Sequence, residues 1–414
     1  MAGTGEGEHG RWTVIWFVGC SGPTRRVKAG AIFHFKNENA LGFREMGCNA
    51  STSDACADDN DIKFYIHRTW IATSLPLRQI PSRAKVRIIS GRFKLSDYNQ
   101  PVSGLVTPRF GGIATFMRLP HVALDDAKDV DIGIVGIPWD GGTSNRPGPR
   151  HGPRQMRDMS SMVRRMHQTS HVVPYDLANV ADLGDCPVNP ANVDDALVRV
   201  ETYFKKLIAK GIRPLSAGGD HLCSLPILRA VGQKKPVGMV HFDAHTDLYD
   251  NYFGGFKYTH GTPFKRAIEE GVLDPKRTIQ IGLRGSMYDL EDFEYGEKMG
   301  VRIMRIEEAM ELGPKKVMEI ARGIVGDGET YVSFDIDMLD PVYAPGTGTP
   351  EIGGFTTFHA QQMLRGLRGL NIVGADVVEV SPPFDPSGMT AYAGATMMFE
   401  IMCSMAEAIA KKRK

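Results

Sequence analysis

The chain has 414 residues, enough for one large domain or two of ordinary size, and a formal net charge of +1. A charge so near zero gives no electrostatic reason to expect nucleic acid or an anionic membrane as a partner. No apolar run approaches the roughly 18–20 residues that a membrane span requires. A hydrophobic content of 42%, with 46 glycines and 25 prolines, is instead typical of a loop-rich α/β protein.

The six cysteines are scattered along the chain, with no CxxC pair and no zinc-finger spacing. They are Cys20, Cys48, Cys56, Cys186, Cys223 and Cys403. Such a pattern is typical of free thiols in a reducing compartment rather than of a disulfide framework. We therefore expect a cytoplasmic protein.

The first part of the chain, residues 1–97, differs from the rest in its pattern of apolar and polar residues, which shows no sustained helical or strand period. Its one apolar patch, at 11–20, is too brief for a signal peptide, and the acidic residues Glu6 and Glu8 argue against a transit peptide. We interpret this segment as an N-terminal extension, poorly ordered and without an assignable function. The folded domain is expected to occupy residues 98–414.

Strand-like runs recur through that domain. Eight are predicted, at 131–138, 179–185, 213–220, 236–243, 278–284, 301–308, 330–337 and 372–380. Amphipathic helical patterns separate several of them, and helices are predicted at 193–211, 315–326, 357–370 and 396–414. Near-continuous apolar strands that alternate with helices predict an α/β fold, with a parallel sheet covered by helices on both faces.

The stretch VHFDAHTDLYD (240–250) places Asp243, His245 and Asp247 at alternate positions, directly behind a predicted strand. On an extended segment the three side chains share one side, whereas on a helix they would fan out around the axis. Crowded ionisable groups of this kind repel one another or lose hydration unless a cation holds them together. The alternative is an exposed loop in which the two aspartates cap turns.

Similar side chains follow three other predicted strands. His221 comes after the strand at 213–220, Asp335 and Asp337 lie at the end of the strand at 330–337, and Glu379 closes the last strand. Ligands of open α/β sheets bind beyond the carboxyl ends of the strands. Four such clusters at one edge of the sheet therefore predict a metal site.

The candidate ligands comprise two imidazoles and four carboxylates, with no thiolate. They are His221, Asp243, His245, Asp247, Asp335 and Asp337. An oxygen-rich set of this charge suits two divalent ions and favours manganese, although nickel and zinc also bind such ligands. Two ions about 3.5–4 Å apart could share Asp243 and Asp335 and hold a hydroxide between them.

With these motifs the sequence resembles the ureohydrolases, the family of arginase and agmatinase. The signatures of that family stand here as GGDH (218–221), DAHTD (243–247) and SFDIDMLDP (333–341). Further similar segments are PRFGGIATFMRLP (108–120), GTSNRPGPRHGP (142–153), HGTPF (260–264), APGTGTPEIGG (344–354) and EVSPP (379–383). The resemblance covers about residues 98–414 and implies the three-layer α/β/α fold of arginase.

The resemblance also implies residue roles. One manganese would be held by His221, Asp243, Asp247 and Asp335, and the other by Asp243, His245, Asp335 and Asp337. His260 resembles the proton-transfer histidine of the family, and Glu379 resembles the carboxylate that binds the substrate guanidinium. The implied reaction is hydrolysis of a guanidino group to urea and a primary amine. A homo-oligomer, trimeric or hexameric, is expected by resemblance alone.

The substrate is less clear from these motifs. Arginases read the amino-acid end of arginine through a segment containing SGN, which is absent here from LYDNYFGGFKYTHG (248–261). An ammonium tail would favour Asp250 or an aromatic face such as Tyr252 or Phe253. A carboxylate tail would favour Lys257 or Arg150. The run of motifs looks most like agmatinases, so agmatine, which yields putrescine, is the predicted substrate, with guanidinobutyrate, guanidinopropionate and free guanidine as alternatives.

Two alternatives come from other classes of protein. Zinc-dependent deacetylases have a similar fold, but they use a pair of adjacent catalytic histidines, and no HH pair occurs in this chain. A non-catalytic regulatory homologue is the second alternative. Such a protein would be expected to have lost metal ligands, whereas all six are present.

Overall fold

The computed structural model describes residues Gly19–Ser21, Arg26–Lys28 and 98–413. The chain divides into two units, Met1–Lys94 and Leu95–Lys414. In the first unit, strand β1 (Gly19–Ser21) pairs with β2 (Arg26–Lys28) in antiparallel orientation. The prediction for residues 1–97 otherwise lies outside the described residues.

The second unit is built on a sheet of eight parallel strands. They are β3 (Ile132–Gly136), β4 (Val180–Asp185), β5 (Arg213–Ala217), β6 (Val237–Phe242), β7 (Leu273–Leu283), β8 (Arg302–Arg305), β9 (Glu329–Asp335) and β10 (Asn371–Val378). Their spatial order is β4-β3-β5-β10-β9-β6-β7-β8. The predicted α/β fold with a parallel sheet of about eight strands is confirmed.

Nine α-helices accompany the sheet in the described residues. They are α1 (Gly152–Met159), α2 (Pro174–Leu177), α3 (Val193–Ala209), α4 (Ser224–Val231), α5 (Pro263–Glu269), α6 (Glu291–Met299), α7 (Ile306–Val325), α8 (Thr357–Arg365) and α9 (Met389–Lys412). Helix α7 begins earlier than the predicted 315–326 and is interrupted at Gly313, where φ is 71°, just before Pro314. Proline is tolerated there because it opens a new helical turn after the break.

Helices cover both faces of the sheet and bury separate halves of its core. On β6, Val240 and Phe242 point to the face packed by helices α1, α2 and α7–α9. Met239, which directly precedes Val240 in sequence, points to the opposite face, which packs against α3–α6. This alternation follows from the period of two along a strand. Because both faces are buried, successive residues are mostly apolar, and the strands appear in the sequence as near-continuous apolar runs.

Helix α9 is the most apolar helix of the fold. Contrary to the expectation from sequence, it is long and apolar enough to meet the criterion for a membrane span, the one such helix in the described part of the chain. However, 83% of its most apolar window is buried inside the structure. Its methionines and alanines, such as Met397, Met398 and Ala406, pack in the core next to β10.

The four central strands β5, β10, β9 and β6 end side by side at one edge of the sheet. Each strand leads directly into one of the four polar segments from which the sequence analysis predicted a metal site. Just beyond the ends of β3 and β5, two backbone segments approach so closely that only glycine fits at position 219. A Cβ at this position would lie 1.6 Å from the carbonyl oxygen of Trp139. That contact fixes the backbone that leads into Asp220 and His221.

We therefore expect Gly219→Ala to lower the free energy of unfolding by at least about 3 kcal/mol, because a backbone carbonyl cannot move aside cheaply. Gly323→Ala is the matched control, since Gly323 lies on an exposed part of α7 with nothing within 4 Å of its Cβ position. That control should gain about 0.5–1 kcal/mol. Chemical unfolding measures both, and equal effects of the two substitutions would contradict the prediction.

Candidate metal centre

The six residues predicted to bind metal come together at the ends of β5, β6 and β9. Around His221, the atom Nδ1 lies 2.9 Å from Asp247 Oδ2, 3.1 Å from Asp243 Oδ2 and 3.1 Å from Asp335 Oδ2. Around His245, Nδ1 lies 3.1 Å from Asp337 Oδ2 and 3.4 Å from Asp243 Oδ1. The cluster thus has two halves, one around His221 and one around His245, and Asp243 offers one oxygen to each half.

The side chains fit a pair of cations. His221 Nδ1 and Asp337 Oδ2 are buried and make no hydrogen bond with any described residue, although carboxylate or imidazole atoms surround them. Each of these atoms faces other candidate ligand atoms, His221 Nδ1 facing Asp247 and Asp337 Oδ2 facing His245. Ligand atoms about 3 Å apart are also what an ion with bonds of about 2.1 Å requires of adjacent ligands.

Backbone amides orient the carboxylates of the cluster. The amide of His245 donates to Asp243 Oδ1 at 2.6 Å, that of Asp337 donates to Asp335 Oδ1 at 2.8 Å, and that of Ala244 donates to Asp337 Oδ1 at 3.1 Å. Asp247 adopts a positive φ of 54°, an unusual conformation for a residue with a side chain. The surrounding fold holds this strained residue so that its oxygen faces His221.

Glu379 and His260 form a second buried group beside the metal ligands. Glu379, with φ of 61°, accepts hydrogen bonds through Oε1 from the amide of His221 at 2.9 Å and faces His260 Nδ1 at 2.9 Å. Its other oxygen, Oε2, is buried and makes no hydrogen bond with any described residue. On the far side of the imidazole, Ser144 Oγ lies 2.7 Å from His260 Nε2. An unpartnered carboxylate oxygen suits a cationic ligand such as a guanidinium.

A sequence model of the arginase family matches residues 130–404 of this chain. This chain belongs to the arginase family. It is 57% identical to the guanidinopropionase of Pseudomonas aeruginosa, over 76% of this chain and 99% of that protein. It is 47% identical to the guanidinobutyrase of the same organism (74% and 97% covered) and 47% identical to the mitochondrial agmatinase of Gallus gallus (75% and 91% covered).

Solved structures agree with that membership. The proclavaminate amidino hydrolase from Streptomyces clavuligerus is 37% identical, with a TM-score of 0.70 over 73% of this chain and 100% of that one. A variant of Trypanosoma cruzi formiminoglutamase with Mn2+2 is 25% identical, with a TM-score of 0.62 over 67% of this chain and 94% of that one. This arginase-family chain is thus a hydrolase that acts on guanidino compounds and carries a metal-binding cluster.

Two buried residues that touch the metal ligands were missed in the sequence. His241 Nε2 lies 2.8 Å from Asp243 Oδ2, and Ser333 Oγ lies 2.8 Å from His221 Nε2. Ser333 in turn donates to Asp376 Oδ1 at 2.7 Å, which leaves the Nδ1 lone pair of His221 free to face the carboxylates. A signal for His241 was present, because it stands two positions before Asp243 and therefore on the same side of the strand.

Asp250, the residue predicted to favour an ammonium tail, lies beside two cations of the protein. Its Oδ1 lies 3.1 Å from Lys265 Nζ and 2.9 Å from Arg266 Nη2, two cations that are themselves buried on α5. Hydrogen bonds from Asn251 and these cations hold the pKa of Asp250 well below its ordinary value. The carboxylate thus anchors the loop that follows Asp247, and its charge is already compensated. Its predicted role in substrate binding remains a prediction.

The other candidates for the substrate tail also differ in their surroundings. Arg150 pairs with the buried Asp140, which also accepts from the amide of Gly148 at 2.8 Å, so this arginine braces its own loop. Tyr252 is half-buried and forms an aromatic rim with Tyr249 and Tyr288, with ring centroids 5.6–6.3 Å apart. Lys257 and Phe253 are exposed.

Burial and the charges of neighbouring ligands shift the pKa values of the cluster. Burial raises the pKa of Asp335 and Asp337 above 3.8, and neighbouring carboxylates add to the rise. Burial opposes charge on His221 and His245 as well, but Asp247 and Asp337 outweigh it and raise both imidazole pKa values well above 6.5. Without a cation, the folded cluster therefore takes up protons that the unfolded chain releases more readily.

These raised pKa values make the stability of the metal-stripped protein depend on pH. A group whose folded pKa is raised stabilises the fold fully below its unfolded pKa, and this contribution is lost as the pH rises through the folded value. We expect the melting temperature of metal-stripped protein to fall between pH 6.5 and 8.5, and that of manganese-loaded protein to change less, because bound cations replace the protons. Thermal unfolding of both forms tests this, and a gap between them that narrows with rising pH would refute it.

Proposed function

We propose that this chain hydrolyses a short guanidino acid of the guanidinopropionate class, with two manganese ions as cofactors. Water cleaves the bond between the guanidino carbon and the nitrogen that bears the carboxylate tail of the substrate. The oxygen of water goes to the carbon, which leaves as urea, and the nitrogen takes up a proton, which gives an amino acid. This proposal takes the alternative raised by the sequence in preference to agmatine. The oligomeric state expected of the family, a trimer or hexamer, belongs to the proposal as well.

The relatives are the observation that carries the choice of substrate. Guanidinopropionase shares 57% identity along nearly its whole length, whereas the mitochondrial agmatinase shares 47%. Guanidinobutyrase, which also acts on a guanidine with a carboxylate tail according to its name, shares 47%. Agmatinase is thus among the relatives, but a guanidino acid is better supported than agmatine.

The charges near the site favour the same choice. Asp250, the acidic candidate for an ammonium tail, is compensated by Lys265 and Arg266. Arg146 has no ion pair in the described part of the chain, and its guanidinium lies over the ring of Phe384, 3.7 Å from the centroid. The backbone of Arg146 borders the site, because a Cβ at Gly348 would lie 3.1 Å from Arg146 O and 3.6 Å from Glu379 Oε2. We assign the substrate carboxylate to Arg146.

Each residue then has a separate task. Divalent ions held by the six ligands would activate water, because they lower its pKa. Glu379 binds and orients the planar guanidinium through its free Oε2, with charge-assisted hydrogen bonds. Burial disfavours the charged form of His260, but the Glu379 carboxylate outweighs it and raises the pKa of His260 to about 9. His260 is therefore protonated at neutral pH and able to give a proton to the departing amine.

The test is urea release by purified protein, metal-stripped and reloaded with manganese. Guanidinopropionate, guanidinobutyrate, agmatine, arginine and guanidine are compared side by side, with Glu379→Gln as the inactive control. We expect kcat/KM for one of the guanidino acids to exceed that for agmatine by at least tenfold. Faster release from agmatine would overturn the substrate while keeping the metal centre. No urea from any substrate, with two ions bound, would refute hydrolysis and favour a non-catalytic homologue.

Arg146→Met tests the assignment of the tail. Loss of a charge-assisted contact should lower kcat/KM for the guanidino acid by about ten- to hundredfold. The effect on agmatine should be much smaller, since an ammonium gains nothing from an arginine. Arg154→Met is the matched control, because Arg154 is exposed on α1 just beyond the same loop. An equal loss for both substrates would show that Arg146 supports the loop rather than the tail.

A further inference from the structure

A pair of buried polar residues lies beneath the metal ligands on two neighbouring strands. His241 on β6 and Gln280 on β7 are register partners in the sheet, and neither is exposed to solvent. The ring of Phe264 packs 4.5 Å from the His241 ring and 5.1 Å from the His221 ring. Polar side chains buried this deeply are retained only if their hydrogen bonds are made.

The hydrogen bonds of Gln280 determine the tautomer of His241. Gln280 Nε2 lies 2.5 Å from the carbonyl oxygen of Thr246 and 3.1 Å from His241 Nδ1. A carbonyl oxygen only accepts, so the nitrogen of the amide, and not its oxygen, must face it. The same NH2 group then donates to His241 Nδ1. Flipping the amide would set two oxygens against each other at Thr246, although the present orientation leaves Gln280 Oε1 without a partner in the described residues.

With Nδ1 accepting, the proton of His241 lies on Nε2, which points at Asp243 Oδ2 from 2.8 Å. A nitrogen that carries a proton has no lone pair for a metal. His241 is therefore a donor to the carboxylate and not a ligand, although its Nε2 lies close enough to His221 and Asp243 to complete a three-residue metal cluster by distance alone.

The consequence concerns Asp243, the carboxylate shared by both halves of the cluster. One lone pair of Oδ1 accepts from the amide of His245, and one lone pair of Oδ2 accepts from His241. Each oxygen keeps one further lone pair, Oδ1 toward the half with His245 and Oδ2 toward the half with His221. The two donors thus restrict the carboxylate to an orientation in which it bridges the two halves.

We propose that His241, held in one tautomer by Gln280, is a positioning residue that orients Asp243 to bridge the two metal ions. The inference depends on the metal centre of the proposed function and is independent of which guanidine is the substrate. Residues that orient metal ligands in this way commonly contribute ten- to hundredfold in metal affinity, so the effect should be measurable without any substrate.

The experiment is a titration of metal-stripped protein with Mn2+ alone, in which calorimetry measures the affinity. The metal content of the dialysed complex then gives the number of bound ions. His241→Phe removes the donor but keeps an aromatic ring beside Phe264, and it should weaken Mn2+ binding by about ten- to hundredfold. His241→Gln places an amide N–H near the position of Nε2 and should recover most of the affinity. Gln280→Met frees the tautomer of His241 and should weaken binding as well.

Thr278→Val is the matched control, because Thr278 is buried on the same strand, two residues before Gln280. Among the described residues, its hydroxyl donates only to the carbonyl of Asp274. It should bind Mn2+ within twofold of the wild type. Thermal unfolding of each metal-stripped variant separates loss of affinity from loss of fold. If His241→Phe misfolds, Gln280→Met and His241→Gln still decide the question.

Two results would overturn the inference. One is unchanged Mn2+ affinity in the folded His241→Phe and Gln280→Met proteins. The other is the loss of one ion in both His241 variants with no change in Gln280→Met, which would make His241 a direct ligand. If the wild type itself binds no Mn2+, the proposed metal centre fails before the variants are compared, so the two failures remain distinguishable.

Discussion

The structure of this arginase-family chain depends on one electrostatic constraint: four carboxylates and two imidazoles are held together in a buried space. Their ligand atoms lie about 3 Å apart, an arrangement that needs bound cations or protons to stabilise it in a low-dielectric interior. The fold accepts strain to achieve it, since Asp247 and Glu379 both adopt positive φ. The ends of three central strands, β5, β6 and β9, supply the six ligands, and β10 between two of these strands supplies Glu379. No single loop therefore has to carry the cluster.

A polar layer beneath the cluster follows from the register of the sheet. His241 aligns with Gln280 on one side and with Ser333 on the other, and Ser333 aligns with Asp376 on β10. One polar residue per strand, at a single level, thus crosses the middle of the sheet. Asp376 is satisfied by hydroxyl groups from Ser224, Tyr331 and Ser333 rather than by a cation. Such a layer supports the ligands above it at little energetic penalty, because nearly every polar group in it is paired.

The eight strands and the six candidate ligands were accessible from the sequence because both depend on local patterns. Apolar runs mark buried strands, and alternation places Asp243, His245 and Asp247 on one side. The short helices α1, α4 and α5 were not predicted, since each is a few turns long and contains proline in its first turns. The contacts of Asp250 with Lys265 and Arg266 could not be predicted either, because they depend on how a loop packs against a helix.

The same distinction explains why the reaction was easier to infer than the substrate. In the proposed function, the guanidinium is assigned to Glu379 at a strand end, where the register of the sheet leaves little freedom. The tail is assigned to loops that carry both signs of charge, and the sequence cannot show which of these charges are already paired. Asp250 and Arg150 carry charge in the sequence but are paired in the structure, whereas Arg146 forms no ion pair with the residues that the structure describes. With the proposed assignment, a change of tail specificity requires only a change in which loop charge is left unpaired, and this change leaves the buried metal-binding cluster undisturbed.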